Sequence, residues 1–161
     1  MDGGRIRQLL TDAKSHADVG DMLLASQLYT KATEIEPNNA AAWYGLGVIQ
    51  TARGFPDESR LAFEKANMLD PEHAPTAANL AVLLNNIDPL RSYELATMAV
   101  SKLGSIQQLS VIIDSRNESV VENDGVKITD AEKFGEAPLI DSRTIYGCLL
   151  YTSDAADDRN C

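Results

Sequence analysis

A recurrence punctuated by proline constrains this chain more than any single residue does. The stretch "EIEPNNAAAWYGLGVIQ", Glu34 to Gln50, ends one apolar-periodic segment at a proline and opens another within a few residues. A similar pattern returns in "NMLDPEHAPTAANLAVLL", Asn67 to Leu84, with Pro37 and Pro71 standing 34 positions apart. A fixed period of roughly 20 to 50 residues marks stacked supersecondary units, each unable to bury its apolar face alone. Sliding the chain by one period sets Tyr29 on Phe63, Ala32 on Ala66, Gly20 on Gly54, Ala13 on Gly47 and Leu9 on Trp43. Every pair is of like kind.

Each unit divides into two amphipathic helices. Met22, Ala25, Tyr29, Ala32 and Ile35 follow the 3, 4, 4, 3 spacing of one helix face, and Ile6, Leu9, Leu10 and Ala13 do so on the helix before it. Where two antiparallel helices approach most closely, only small side chains let the backbones meet. Ala13, Gly47 and Ala81 form one such line, and Ala25 and Ser59 form the other. Tyr29 and Phe63 are then expected to fill the space between each pair and its neighbour. Gly20 and Gly54 stand where a helix commonly ends in a left-handed residue. Asp21, Pro56, Asp57 and Glu58 suit helix starts, where free backbone donors and the positive dipole end favour acids and tolerate proline.

These residues resemble the tetratricopeptide repeat family, whose signature W-x2-L-G…A…F…A…P is met by Trp43, Leu46, Gly47, Ser59, Phe63, Ala66 and Pro71. Ser59 replaces the usual alanine. In the first unit Asp12 replaces the expected leucine and Leu9 the tryptophan, as suits a terminal helix with one face in water. The third unit opens well at Leu80 and Ala81, then aligns best with a turn one residue short, placing Ser92, Ala96 and Ala99 on the conserved face; it lacks a closing proline. The resemblance implies an all-α fold, a right-handed α-solenoid of about three helix-turn-helix repeats over residues 1–103, with repeats at about 6–39, 40–73 and 74–103. Breaks are expected near Gly20, Pro37, Gly54, Pro71 and Asp88.

Beyond the repeats the pattern thins. Ile106, Leu109, Ile112 and Ile113 recur at helical spacing, so residues 104–114 are expected to cap the last hairpin, although so short an apolar run is equally compatible with a strand. Residues 115–147 are polar and acidic, the composition of a linker or disordered segment. Asp124-Gly125 within it suits the turn of a small hairpin. The last fourteen residues, "CLLYTSDAADDRNC", resemble the translation of a transposase-type sequencing adapter. Residues 148–161 are therefore expected to be a technical scar, with the natural gene continuing past about Gly147.

Setting that tail aside removes Asp154, Asp157, Asp158 and Arg159, taking the net charge from −10 to −8, and removes both cysteines, Cys148 and Cys161. No disulfide framework or thiolate metal site is then expected. His16 and His73 are far apart, without a surrounding carboxylate pattern, so no metal ligands are assigned. No cofactor is expected either. The acidic balance and the lack of Lys/Arg clusters oppose binding to nucleic acid or an anionic membrane. No run approaches the roughly 18 apolar residues of a membrane helix, and the start lacks a secretory apolar core. The expectation is a soluble, cytoplasmic chain of undetermined oligomeric state.

The residues whose types suggest chemistry have plainer roles. Trp43 is expected to pack between the helices of the second unit, and His16 fills a packing position on the first helix. Asp57 and Glu58 are explained by a helix start. Gly45 and Gly47 follow no strand, so they do not form a phosphate loop. No catalytic constellation remains. The family resemblance implies instead that the first helix of each hairpin lines a concave groove, whose partner-binding residues here are Leu10, Lys14, Tyr44, Val48, Ala78, Val82 and Asn85, with Tyr44 and Val48 as its exposed apolar center. Relatives that grip a terminal carboxylate use a ring of Lys, Arg and Asn on this face; Arg7, Lys14, Asn79 and Asn85 are too few for that. The implied function is a noncatalytic scaffold that binds a peptide or partner helix. The alternatives are the regulatory repeats of a larger enzyme with a catalytic domain downstream, and a structural subunit of an assembly. Deleting Cys148 to Cys161 should leave circular-dichroism helix content and Tm unchanged; a drop in either would show that the tail belongs to the fold.

Overall fold

The computed structural model of the protein describes residues 3–121. Among them seven helices follow one another with no strand: α1 Gly3–Asp18, α2 Met22–Ile35, α3 Ala40–Ala52, α4 Pro56–Leu69, α5 Ala74–Leu84, α6 Pro89–Leu103 and α7 Gln107–Val121. The pairs α1/α2, α3/α4 and α5/α6 are antiparallel hairpins, and α2 packs on α3, α4 on α5 and α6 on α7. The result is the expected right-handed α-solenoid.

Local signals set the helix ends. Asp21, Asn39 and Asp88 each cap a helix, their side chains accepting from the backbone N–H of Leu24, Ala42 and Arg91. Pro56 opens α4, where its missing N–H is no loss. At the ends of α1 and α3 the chain turns through Gly20 and Gly54, with φ of 85° and 82°. Asp21 N–H bonds back to His16 O and Phe55 N–H to Gln50 O, which satisfies carbonyls that the helix end leaves open. The third hairpin has no such glycine. Its turn closes through Asp88 N–H to Leu84 O, four residues back where the other two turns bond five back, so the register between equivalent positions of the two helices is one residue shorter.

That shortening is visible in the core. Ser59 Oγ donates to Gly47 O at 2.8 Å, twelve residues back, whereas the corresponding Ser92 Oγ donates to Ala81 O at 2.7 Å, only eleven back. Both hydroxyls are fully buried, so each needs its acceptor. Ala13, Ala25, Ala81, Ala96 and Ala99 are likewise fully buried along the expected close-approach lines.

Phe63 lies on Gly47: a Cβ added there would meet its ring at 2.8 Å. Tyr29 lies on Gly45 still more tightly, with ring atoms 2.1 to 2.7 Å from such a Cβ. The second contact joins the first hairpin to the second. Around these contacts the apolar interior forms two clusters. The larger runs from Val48 and Phe63 through α5 and α6 to Leu109 and Ile112, and the smaller holds Ala17, Ala25 and Ile49 with Met22 and Tyr29 against them. Lys102 ties α6 to the loop before α5, donating to the Glu72 carbonyl at 2.9 Å and to its carboxylate.

Two expectations change. Trp43 is half-buried and belongs to neither cluster; its indole N–H donates to Pro37 O at 2.7 Å. It therefore pins the loop before α3, while Phe63 and Ile49 occupy the interior. The capping segment is a helix, and it runs past residue 114 to Val121, so residues 115–121 are helical and not linker. Leu109 and Ile112 seal the last hairpin, and their burial draws the polar turns after them into the same helix. The hairpin suggested at Asp124-Gly125, the rest of the acidic segment and the tail lie outside the described residues.

Gly45→Ala drives a methyl into the Tyr29 ring and should destabilise the fold by about 1–3 kcal/mol. Adding Tyr29→Leu should recover part of that loss. Chemical denaturation checks both, and a neutral Gly45→Ala would contradict the close approach.

Candidate partner-binding groove

The first helices of the hairpins, α1, α3 and α5, run in the same direction. α1 touches α3 directly and α5 touches α7, whereas the second helices form no comparable contact with one another. The first helices therefore line the inner face of the stack. This follows from the small residues, which bring each pair together along its length, and from Gly45, which admits Tyr29 and draws α2 onto α3.

The seven residues expected to line the groove take three positions. Val48 and Ala78 are buried, at 3% and 2% exposure. Val48 is therefore not part of an exposed apolar center: it joins α3 to α5 within the larger cluster and forms floor, as Ala78 does. Leu10, Tyr44, Val82 and Asn85 are half-buried, and Lys14 is exposed. Tyr44 and Val82 pack against the larger cluster from outside. The surface left on this face is a narrow apolar line, with Lys14 at its α1 end and Asn85, the C-cap of α5, at the other.

Tyr44 is held by groups that the repeat pattern did not single out. Its ring meets Phe63 in a tilted arrangement at 5.8 Å and the His73 imidazole edge-on at 4.9 Å. Burial pushes its phenol well above the ordinary tyrosine range; the nearby Tyr29 pushes the same way, and a hydrogen bond with Asn79 opposes them. Tyr29 is raised to about 12, by burial first and then by Asp18. Both phenols stay protonated at neutral pH and act as packing and hydrogen-bonding groups. Neither is poised to exchange a proton.

His73 caps α5. Its Nδ1 accepts from Thr76 N–H at 3.3 Å and shares a hydrogen bond with Thr76 Oγ1 at 2.7 Å. Burial lowers its pKa, and Asp70 opposes that shift. A sequence signal did exist: a residue able to accept, two places after Pro71 and three before Thr76, at the start of an apolar helix. Asn79 donates to Pro75 O at 3.0 Å and lies beside Tyr44, so the carboxamide is part of the wall. Among the described residues no group of three His, Cys, Asp or Glu side chains is placed to hold a metal ion, and no helix is long and apolar enough to cross a membrane. His16 is half-buried beside Asp21, and Asp57 and Glu58 are exposed in the first turn of α4.

Residues 28–60 match the tetratricopeptide repeat family model. No curated protein matches the chain. Among solved structures, the chain is similar to the first TPR of Spaghetti (RPAP3) bound to the HSP90 peptide SRMEEVD, with 9% identity over 75% of this chain and 97% of that one and a TM-score of 0.64. It is also similar to the Yersinia enterocolitica type III secretion chaperone SycD in complex with a peptide of the translocator YopD, with 13% identity, coverage of 73% and 96%, and a TM-score of 0.62. A Thermobaculum terrenum O-GlcNAc transferase aligns at 24% identity over 63% of this chain with a TM-score of 0.57. The chain spans only 20% of that transferase. The fold is that of tetratricopeptide repeat proteins.

The His73 cap makes stability depend on pH. Its pKa in the folded chain lies below the ordinary value of 6.5, so the unfolded chain binds more protons between the two values. Stability is thus fully present above about pH 6.5 and falls as pH drops through the folded-state value. Tm should decline between pH 7.5 and 5.5, and less so in His73→Asn, which keeps a capping acceptor without titrating. Equal declines would remove His73 as the cause.

Proposed function

We propose that this tetratricopeptide solenoid is a noncatalytic protein-interaction scaffold that takes an extended peptide or a partner helix on its inner face. One observation carries the reading: Leu10, Tyr44 and Val82, from three successive hairpins, stay half-exposed along one face whose floor, Val48 and Ala78, is closed. A rigid apolar line of this kind binds without first being ordered, which reduces the entropy lost on association. Helix-in-groove recognition uses such a line, with apolar anchors seated at regular spacing. The peptide-bound TPR of Spaghetti and the YopD-peptide complex of SycD support a peptide or protein partner.

The charge at the groove defines the partner further. Lys14 stands at one end and Asn79 and Asn85 toward the other, too sparse a set to clamp a carboxylate, so the central contact is apolar and weakly salt-dependent. An overall charge of −10 disfavours nucleic acid and anionic membranes as partners. Lys14, Leu10, Tyr44, Val82 and Asn85 are assigned to partner contact. Val48 and Ala78 support them from beneath. The alignment with part of an O-GlcNAc transferase keeps a second reading in view, in which these repeats serve a catalytic domain encoded downstream. Whether the source gene encodes a catalytic domain alongside these repeats decides that question.

The test is affinity capture from source-cell lysate with the natural chain and with Leu10→Ser combined with Tyr44→Leu, which retains apolar volume against Phe63. Central anchors at hot spots typically contribute at least about 2 kcal/mol. Partner recovery should fall by more than tenfold, on the order of that energy, while helix content is unchanged. Undiminished recovery would move the partner off the inner face.

A further inference from the structure

The first turns of α3, α5 and α7 close in the same way: Trp43 N–H bonds to Asn39 O, Ala77 N–H to His73 O and Ser110 N–H to Ile106 O. These acceptors stand 34 and then 33 positions apart, the second step shortened by the one residue that the third hairpin omits. Burial agrees with this register. Leu109 falls on Ala42 and Thr76, and all three are fully buried. α7 also touches α5 as α1 touches α3. It is therefore a further first helix, set beside α5 on the inner face.

On that register Val111 takes the position of Leu10, Tyr44 and Ala78, and it is 49% exposed. Ser115 takes the position of Val82 and Glu118 that of Asn85, and both are exposed. Val82 packs against the same apolar cluster that holds Leu109 and Ile112, so the surface passes from α5 to α7 without a break. The apolar line of the groove thus has one more step after Val82.

This step changes the charge of the face. Arg7 and Lys14 are exposed on the groove side of α1. Of the acids on that helix, Asp12 accepts from Gln8, and Asp18 lies close enough to Tyr29 on α2 to raise its phenol. α3 and α5 bring no charge to the face, only Tyr44, Thr51, Val82 and Asn85. Glu118 on α7 then gives the far end the opposite sign. Neighbouring helices lie about 8–10 Å apart, so four of them span about 24–30 Å. An extended chain covers that distance with about eight or nine residues at roughly 3.3 Å each, and a peptide so short does not hold a helix alone in water. We infer that α7 completes the groove as a fourth strip, with Val111 as an apolar anchor and Glu118 as its negative end, and that the occupant is an extended peptide with acids at the α1 end, apolar residues between, and Lys or Arg at the α7 end. The inference rests on the reading of the inner face as a peptide groove.

Panning a phage library of random nonapeptides on the full chain tests it. The enriched peptides should carry Asp or Glu at one end, apolar residues in the middle and Lys or Arg at the other. Panning on Glu118→Lys should replace the basic end with an acidic one. A selected peptide, made synthetically and titrated by fluorescence anisotropy, should bind Val111→Ser at least roughly tenfold more weakly, the scale of a lost interface anchor, with helix content retained, whereas Val111→Leu should bind it as the natural chain does. Peptides that are lost by the Leu10→Ser, Tyr44→Leu variant but are indifferent to Val111→Ser and Glu118→Lys would leave the groove standing and overturn the part given to α7. Peptides indifferent to all of these substitutions would overturn both. The assignment also fails if no peptide is enriched, or if sedimentation shows self-association that Val111→Ser abolishes, which would make the occupant a second copy.

Discussion

Aromatic rings seated directly on glycines hold this solenoid together, and the rest of its geometry follows from them. Phe63 occupies the place a side chain at Gly47 would fill, and Tyr29 does the same at Gly45. The first contact closes a hairpin; the second joins two hairpins. Because the glycines lie on rigid helical backbone, the rings fix how near the helices come and at what height. Protein interiors are packed too densely to absorb an added methyl at such points. Where the third hairpin lacks a glycine, Ala81 takes its place and Ser92 bonds to the Ala81 carbonyl across the same narrow gap.

From this spacing comes the inner face. The first helices are drawn side by side, Val48 and Ala78 are buried between them, and Leu10, Tyr44 and Val82 stay half-exposed along the face. Tyr44 is braced by Phe63 and His73, which fixes the position of its ring on this face. His73 serves twice, as the cap of α5 and as a wall beside Tyr44, which couples the Tyr44 ring to the start of the third hairpin. The larger apolar cluster runs unbroken from the second hairpin to α7, while the first hairpin leans on a smaller one. A stack of nearest neighbours inherits such unevenness as uneven local stability.

Much of this was legible in the residues. The 34-residue recurrence located the helices and their breaks, and the line of small residues located the close approaches, because both follow from periodic constraints on backbone spacing. Even the shortened register of the third hairpin could be read, since Ser92, Ala96 and Ala99 fall on the repeat positions of Ser59, Phe63 and Ala66 only if one residue is removed before them. What was not legible depends on depth. Repeat position places Val48 on the inner helices, but it does not say that α5 lies close enough to cover it. Trp43 was expected inside from its position in the second repeat; the loop carbonyl of Pro37 holds it at the margin instead. The length of α7 was hidden because Leu109 and Ile112 provide its packing while the polar residues after them look like linker. Contacts of Tyr44 with His73 and Asn79 join different helices, and no spacing rule within one helix reveals them.

The central claim is that Tyr29 and Phe63 lie on Gly45 and Gly47 in solution. Rings in face contact shift the resonances of protons beneath them, so nuclear magnetic resonance reads the geometry directly. The α-proton and amide signals of Gly45 and Gly47 should be displaced upfield from ordinary helical glycine values, and Tyr29→Leu should return the Gly45 signals toward those values while leaving Gly47 displaced. Unshifted glycine signals in the natural chain, or a Tyr29 substitution that moves neither, would contradict the account.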